Sequence, residues 1–173
     1  LIISAAAKQT SALETAWTLP QIEAMASVVH GEHNLAASVS SGSFRTDGML
    51  VLPCSIKSLS AIANSYNETL IPRAADVTLK ERRRLVLAVR ETPLHAGHLR
   101  LMQQATESGA IIVPPVPAFY TRPTSLDDII KQTVGKMLDL LRSGLGPFAE
   151  REFRNVYADR VEERIAQVLG DDR

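Results

Sequence analysis

The residue types most able to do chemistry cluster where an apolar run ends. Arg90 and Glu91, followed by Thr92 and Pro93, close the stretch Leu85 to Val89. In an open parallel sheet, ligands gather at the carboxyl ends of the strands, so an arginine beside a carboxylate there is a candidate site. The carboxylate could exchange a proton with a ligand, while the arginine holds a phosphate or keeps the acid ionised. The competing reading is an ion pair that caps the following helix. Upstream, Arg73 and Lys80 place two cations on one charged helical stretch, which suits an anionic leaving group and equally a solvated helix face. His95 and His98 have an i, i+3 spacing that invites a metal, but no third ligand accompanies them.

Elements that would position these residues can be read from periodicity. Leu1 to Ile3 is an apolar remnant of a strand, and Ser4 can cap a helix running to about Leu13. A second short helix should follow Pro20, with Ile22, Met25 and Val28 as its stripe. From His30 to Asp47 the pattern breaks into a loop with Gly31, Ser38, Ser40, Ser41, Gly42 and Ser43, able to bring its backbone close to a ligand. Met49 to Leu52 reads as a buried strand, and Ser55 can cap the helix carrying Ile56, Leu59 and Ile62.

Asn64 to Pro72 reads as a loop, Arg73 to Arg83 as a helix and Leu85 to Val89 as a second buried strand. A helix from Leu94 should stop at Gly109, before a third strand at Ala110 to Val113. Pro114, Pro115 and Pro117 force an extended loop through Phe119, Tyr120 and Arg122. Ser125 with Asp128 opens a helix through Leu141 that Gly144 and Gly146 should close. Strands apolar on both faces that alternate with helices imply an α/β domain with a mostly parallel sheet, covering residues 1–145. A peripheral helix or arm is expected over 146–173.

The chain has 173 residues, enough for one domain of ordinary size. Nineteen Lys and Arg balance nineteen Asp and Glu, so no global field draws nucleic acid or an anionic membrane, and any anion site must be local. No apolar run reaches the roughly 20 residues of a membrane span. Cys54 is the single cysteine, which excludes an internal disulfide and fits a reducing cytosol.

Three blocks carry a resemblance: SGSFRTDGMLVLPCSIKSLSAIA, then RAADVTLKERRRLVLAVRETPLHAGHLRLM, then GAIIVPPVPAFYTRP, followed by SLDDII and KMLDLL. In this order they resemble the flavin prenyltransferases of the UbiX type, from Leu1 to about Leu141. The resemblance implies a flavodoxin-like, Rossmann-like three-layer subunit that usually forms a homododecamer with sites at subunit interfaces. It implies FMN and dimethylallyl phosphate as substrates and no metal. The dimethylallyl group joins flavin N5 and then C6, and the prenylated FMN passes to a UbiD-type decarboxylase, as in ubiquinone biosynthesis. A cytoplasmic location would follow.

Residue by residue, the resemblance makes Glu91 the acid/base group and Glu14 a second carboxylate near the reacting carbon. Arg73, Lys80, Arg90, Tyr120 and Lys136 surround the substrate phosphate, with Arg73 and Lys80 often reaching across a subunit boundary. Lys136 stands where the family often has arginine and lacks its two-pronged geometry. Ser4, Ser41, Ser43, Ser55 and Ser58, with Arg90, fall at or near flavin-lining positions. Arg82, Arg83 and Arg84 have no such match and read as surface or contact charges. The family's opening strand and its GxSGA-type phosphate loop are missing from this sequence, so the expectation is weak FMN binding or poor folding unless that piece is supplied. The rivals are an FMN-dependent aromatic-acid or peptidyl-cysteine-type decarboxylase and a non-catalytic flavin-binding subunit.

Overall fold

A computed structural model describes residues 1–142. The expected helix and arm beyond residue 145, and the closing glycines Gly144 and Gly146, lie outside the described residues. Three parallel strands form the sheet, in the order β1 (Gly48–Cys54), β2 (Arg84–Val89) and β3 (Ile111–Ile112). Along β2 every residue from Leu85 to Val89 is buried, because both faces of the sheet are covered. Leu85, Leu87 and Val89 pack with Leu59, Ile62, Ala75 and Ala105 of the helices on one face. Val86 and Ala88 point the other way, onto Met137, Leu140 and Leu141 of the last helix.

The covering helices are α3 (Ile56–Ala63), α4 (Leu70–Lys80) and α5 (Ala96–Glu107) on the first face, and α6 (Leu126–Arg142) on the second. This is the three-layer arrangement expected from strand runs alternating with helical periods. Two short helices, α1 (Ala5–Glu14) and α2 (Leu19–Ala24), precede the sheet. Helix starts follow from capping. The Ser4 hydroxyl accepts the Ala7 N–H at 3.1 Å, and the Ser55 hydroxyl accepts that of Ser58 at 3.2 Å. At α6 the Asp128 carboxylate accepts the Thr124 and Ser125 N–H groups and the Thr124 hydroxyl, while Ser125 Oγ accepts the Asp128 N–H. These bonds, led by the Thr124 N–H, hold the Asp128 carboxyl below its ordinary range.

Several boundaries differ from expectation for physical reasons. Helix α4 starts at Leu70 rather than Arg73, because Pro72 falls in its first turn, where a missing N–H costs nothing. Helix α2 ends at Ala24, so Val28 lies beyond the predicted stripe and is exposed. Strand β1 runs on through Pro53 to Cys54, and β3 shortens to two residues. Ile2 does not join the sheet; it forms an isolated parallel bridge with His30.

Helix α4 ends in a left-handed turn. Arg82 has φ 59, its N–H bonds to the Leu79 carbonyl at 2.9 Å, and the Arg83 N–H bonds to the Thr78 carbonyl at 2.9 Å. That pair of bonds is a Schellman closure with arginine in the position glycine usually fills. It turns the chain sharply into β2.

Candidate functional site

The parallel ladder brings three turns to the carboxyl edge of the sheet. Strand β1 delivers Cys54 and Ser55, β2 delivers Arg90 and Glu91, and β3 delivers Val113 and the proline-bounded loop beyond it. The ladder holds them in line: Cys54 pairs with Val89, the Arg90 N–H donates to the Cys54 carbonyl at 3.2 Å, and the Val113 N–H to the Leu87 carbonyl at 2.9 Å. One edge therefore gathers Ser55, Ser58, Arg90 and Glu91, as strand order requires.

Glu91 is exposed, and its Oε1 accepts the Thr92 N–H at 3.1 Å. It neither pairs with Arg90 among the described residues nor caps the next helix. That cap is His95, whose Nδ1 accepts the Gly97 N–H at 2.9 Å. The ion pair capping the next helix is therefore not formed among the described residues. Arg90 is exposed at the same edge. The hydroxyls of Ser55 and Ser58 lie 3.2 Å apart at the start of α3, whose first-turn amides lack intrahelical partners. Amides, hydroxyls and a guanidinium at one helix start form a set that suits a phosphate or another anionic group.

Cys54, fully buried between this turn and the core, has its thiol pushed up to about 12 by burial. It is a packing residue here and not a nucleophile. His95 and His98 stack with ring centroids 3.6 Å apart, and no group of three or more His, Cys, Asp or Glu able to hold a metal occurs among the described residues.

The other predicted residues divide between this edge and elsewhere. Tyr120 lies in a 3-10 turn, Phe119–Thr121, in the loop after β3 and is 84% exposed. A shallow hollow beside it is lined by Phe119, Arg122, Pro123, Thr124, Ser125 and Ile129. Lys136 is exposed on α6, next to the buried Met137. Ser4 caps α1, and Glu14 ends that helix in an exposed position.

Lys80 is at the opposite edge. Helix α4 runs antiparallel to the strands, so its last residue falls near Arg84, the first residue of β2, whereas Glu91 follows the last. At about 3.3 Å per residue, six strand residues separate the two ends by roughly 20 Å. One subunit therefore does not bring Lys80 to Glu91.

Ser41 and Ser43 share the amino edge with Lys80, because their loop leads directly into β1. Their hydroxyls are 2.8 Å apart. The structure thus separates them from Ser55 and Ser58, and the serines expected to line a flavin do not form one cluster within a chain. Arg73 donates to the Ser40 carbonyl at 3.0 Å and lies 3.6 Å from Asp76, so it is engaged with the serine loop.

Two participants escaped sequence reasoning. Ser40 Oγ is buried and has no hydrogen-bond partner, which leaves an unused polar atom in the serine loop. Arg83 is no loose surface charge, since its guanidinium grips the same loop at three points. No periodicity could have revealed either.

A family model described as Flavoprotein matches residues 2–138. A flavin prenyltransferase UbiX of Escherichia coli is 63% identical over 139 residues, spanning 80% of this chain and 74% of that protein. One from Thauera aromatica is 59% identical over 139 residues, spanning 80% and 72%. Among solved structures, AnUbiX in complex with FMN and dimethylallyl pyrophosphate superposes with a TM-score of 0.80 at 53% identity, covering 82% of this chain and 75% of that one. A dodecameric FMN-dependent UbiX-like decarboxylase from Escherichia coli gives 0.79 at 47% identity, covering 84% and 78%.

Proposed function

The chain belongs to the flavoprotein family, in its UbiX flavin prenyltransferase branch, and from that premise we propose how its own residues carry out the transfer. The reaction moves a dimethylallyl group from dimethylallyl phosphate to N5 and C6 of FMN. The allylic carbon–oxygen bond breaks, phosphate leaves, and the proton displaced from the flavin must find a base. FMN, bound in its reduced form, would supply the nucleophilic nitrogen and carbon and the protons that leave them.

The observation that carries this reading is the placement of Arg90 and Glu91 beside the Ser55 turn, at the edge where the sheet offers donors to an anionic ligand. Ser55, Ser58 and the first-turn amides of α3, with Arg90, fit the phosphate end of FMN. The Ser41 and Ser43 hydroxyls, at the amino edge, would be donors to the site of a neighbouring subunit. Glu91 accepts and returns the proton; the Thr92 N–H on its Oε1 keeps the carboxylate aimed while its other oxygen stays available.

Cations assist the departure of phosphate by stabilising the charge that builds on it. Arg90 comes from the edge that bears Glu91, and Tyr120 and Lys136 join it from the loop after β3 and from α6. Lys80 would serve the site of a neighbouring subunit, since roughly 20 Å of strand separates it from its own Glu91, and Arg73, on the same helix, would join it there. An assembly of copies, dodecameric in the related structure, is then a requirement of the chemistry. Glu14, exposed at the end of α1, has the weakest support among the carboxylates.

The product passes to a UbiD-type decarboxylase in a cytoplasmic pathway such as ubiquinone biosynthesis. The test is to combine protein, reduced FMN and dimethylallyl phosphate without oxygen and to look for prenylated FMN by mass spectrometry. A decarboxylase would instead release carbon dioxide from an acid substrate with no partner enzyme present. A mere flavin-binding subunit would hold FMN and turn nothing over.

A further inference from the structure

We propose that Arg83 is a positioning residue for the serine loop, locking the segment Gly42 to Thr46 against the end of α4 so that Lys80 and the loop act as one rigid unit. Arg83 Nη2 donates to the Gly42 carbonyl at 2.8 Å, and Nη1 donates to the Phe44 carbonyl at 2.8 Å and to Thr46 Oγ1 at 3.4 Å. These partners lie 37 to 41 residues away in sequence, so one side chain fixes a long-range contact between a loop and a helix end. The guanidinium fork suits two diverging carbonyls in a way that an ammonium does not.

Three other features converge on the same place. The left-handed Arg82 turns the chain so that Arg83 faces back onto the loop. Gly42 lies against the side-chain ends of Lys80 and Glu81: a β-carbon there would stand 2.6 Å from Lys80 Nζ, so the loop packs directly on these two groups. Arg73, further back on α4, donates to the Ser40 carbonyl at 3.0 Å and forms a second tie. The serine loop is thus held by arginines on both sides of Gly42, and Phe44 is kept in a turn in which its N–H bonds to the Ser41 carbonyl at 3.2 Å.

The three consecutive arginines consequently have three separate duties. Arg82 makes the turn, Arg83 makes the clamp, and Arg84 opens β2 opposite Gly48. Arg83 does not touch substrate. It acts through the position of the loop relative to Lys80, and this role rests on the proposed use of Lys80 for the allylic phosphate.

The experiment compares wild type, Arg83→Lys and Arg83→Ala in the assembled protein by amide hydrogen exchange at Phe44 and by steady-state kinetics. The expected result is faster Phe44 exchange in both variants and a KM for dimethylallyl phosphate raised about tenfold in Arg83→Ala with kcat little changed. Millimolar guanidinium should restore Arg83→Ala, and Arg83→Lys should remain impaired although it keeps the charge. Unchanged Phe44 exchange in Arg83→Ala, or full function in Arg83→Lys, would overturn the clamp. Exchange reads the loop whether or not prenyl transfer occurs, so an inactive wild type would count against the proposed reaction and leave the clamp to be judged on exchange alone.

Discussion

Lys80 donates to the carboxylate of Glu81 beside Gly42, so the cation we propose for the allylic phosphate already has an anion against it. The hydrogen bond and charge of Lys80 hold the Glu81 carboxyl below its ordinary range. A phosphate that uses Lys80 must compete with Glu81. Glu81→Gln should therefore lower the KM for dimethylallyl phosphate a few-fold, and Lys80→Ala should raise it about tenfold or more. Initial-rate kinetics over a range of donor concentrations checks both, and opposite signs for the two variants are the signature.

The left-handed Arg82 should carry a conformational cost that glycine does not. Arg82→Gly is expected to stabilise the fold by about 1 kcal/mol, or to raise the melting temperature by about 3 °C. Thermal unfolding followed by circular dichroism measures it. A loss of stability would mean that the Arg82 side chain contributes contacts worth more than the strain.

Cys54 should resist alkylation in the folded protein at pH 8 and react freely in urea, since burial pushes its thiol up to about 12. The sign of its effect on stability follows. Above the ordinary thiol value of about 8.5 the unfolded chain loses this proton while the folded chain keeps it, so the contribution is complete below that value and drains away as pH rises toward the folded one. Compared with Cys54→Ala, wild type should lose stability more steeply on the alkaline side, as urea midpoints at a series of pH values would measure.

The parts of this molecule visible in its sequence are those in which one short-range rule decides the outcome. Leu85 to Val89 could only be a strand buried on both faces, and Ser4, Ser55 and Ser125 could be placed as caps because each hydroxyl answers an amide three residues on. The start of α4 is hidden in the sequence because Pro72 looks like a breaker yet is harmless in a first turn. Arg83 was passed over because its partners are distant in sequence and are carbonyls, which leave no mark on residue type. Arg90 and Glu91 were legible from their place after a strand, whereas Tyr120 and Lys136, both exposed, were reachable only through family resemblance. The opposition of Lys80 and Glu91 across the sheet became apparent only once α4 and β2 were seen to run antiparallel.

In the proposed reaction the chain transfers a dimethylallyl group to reduced FMN and Glu91 handles the proton. Anaerobic incubation of wild type and Glu91→Gln with reduced FMN and dimethylallyl phosphate, read by mass spectrometry alongside an FMN titration, tests it directly. Prenylated FMN is expected from wild type, and Glu91→Gln should bind FMN as well as wild type but form product at least about a hundredfold more slowly. Wild-type protein that binds FMN and forms no prenylated flavin, or a Glu91→Gln variant as fast as wild type, would contradict it.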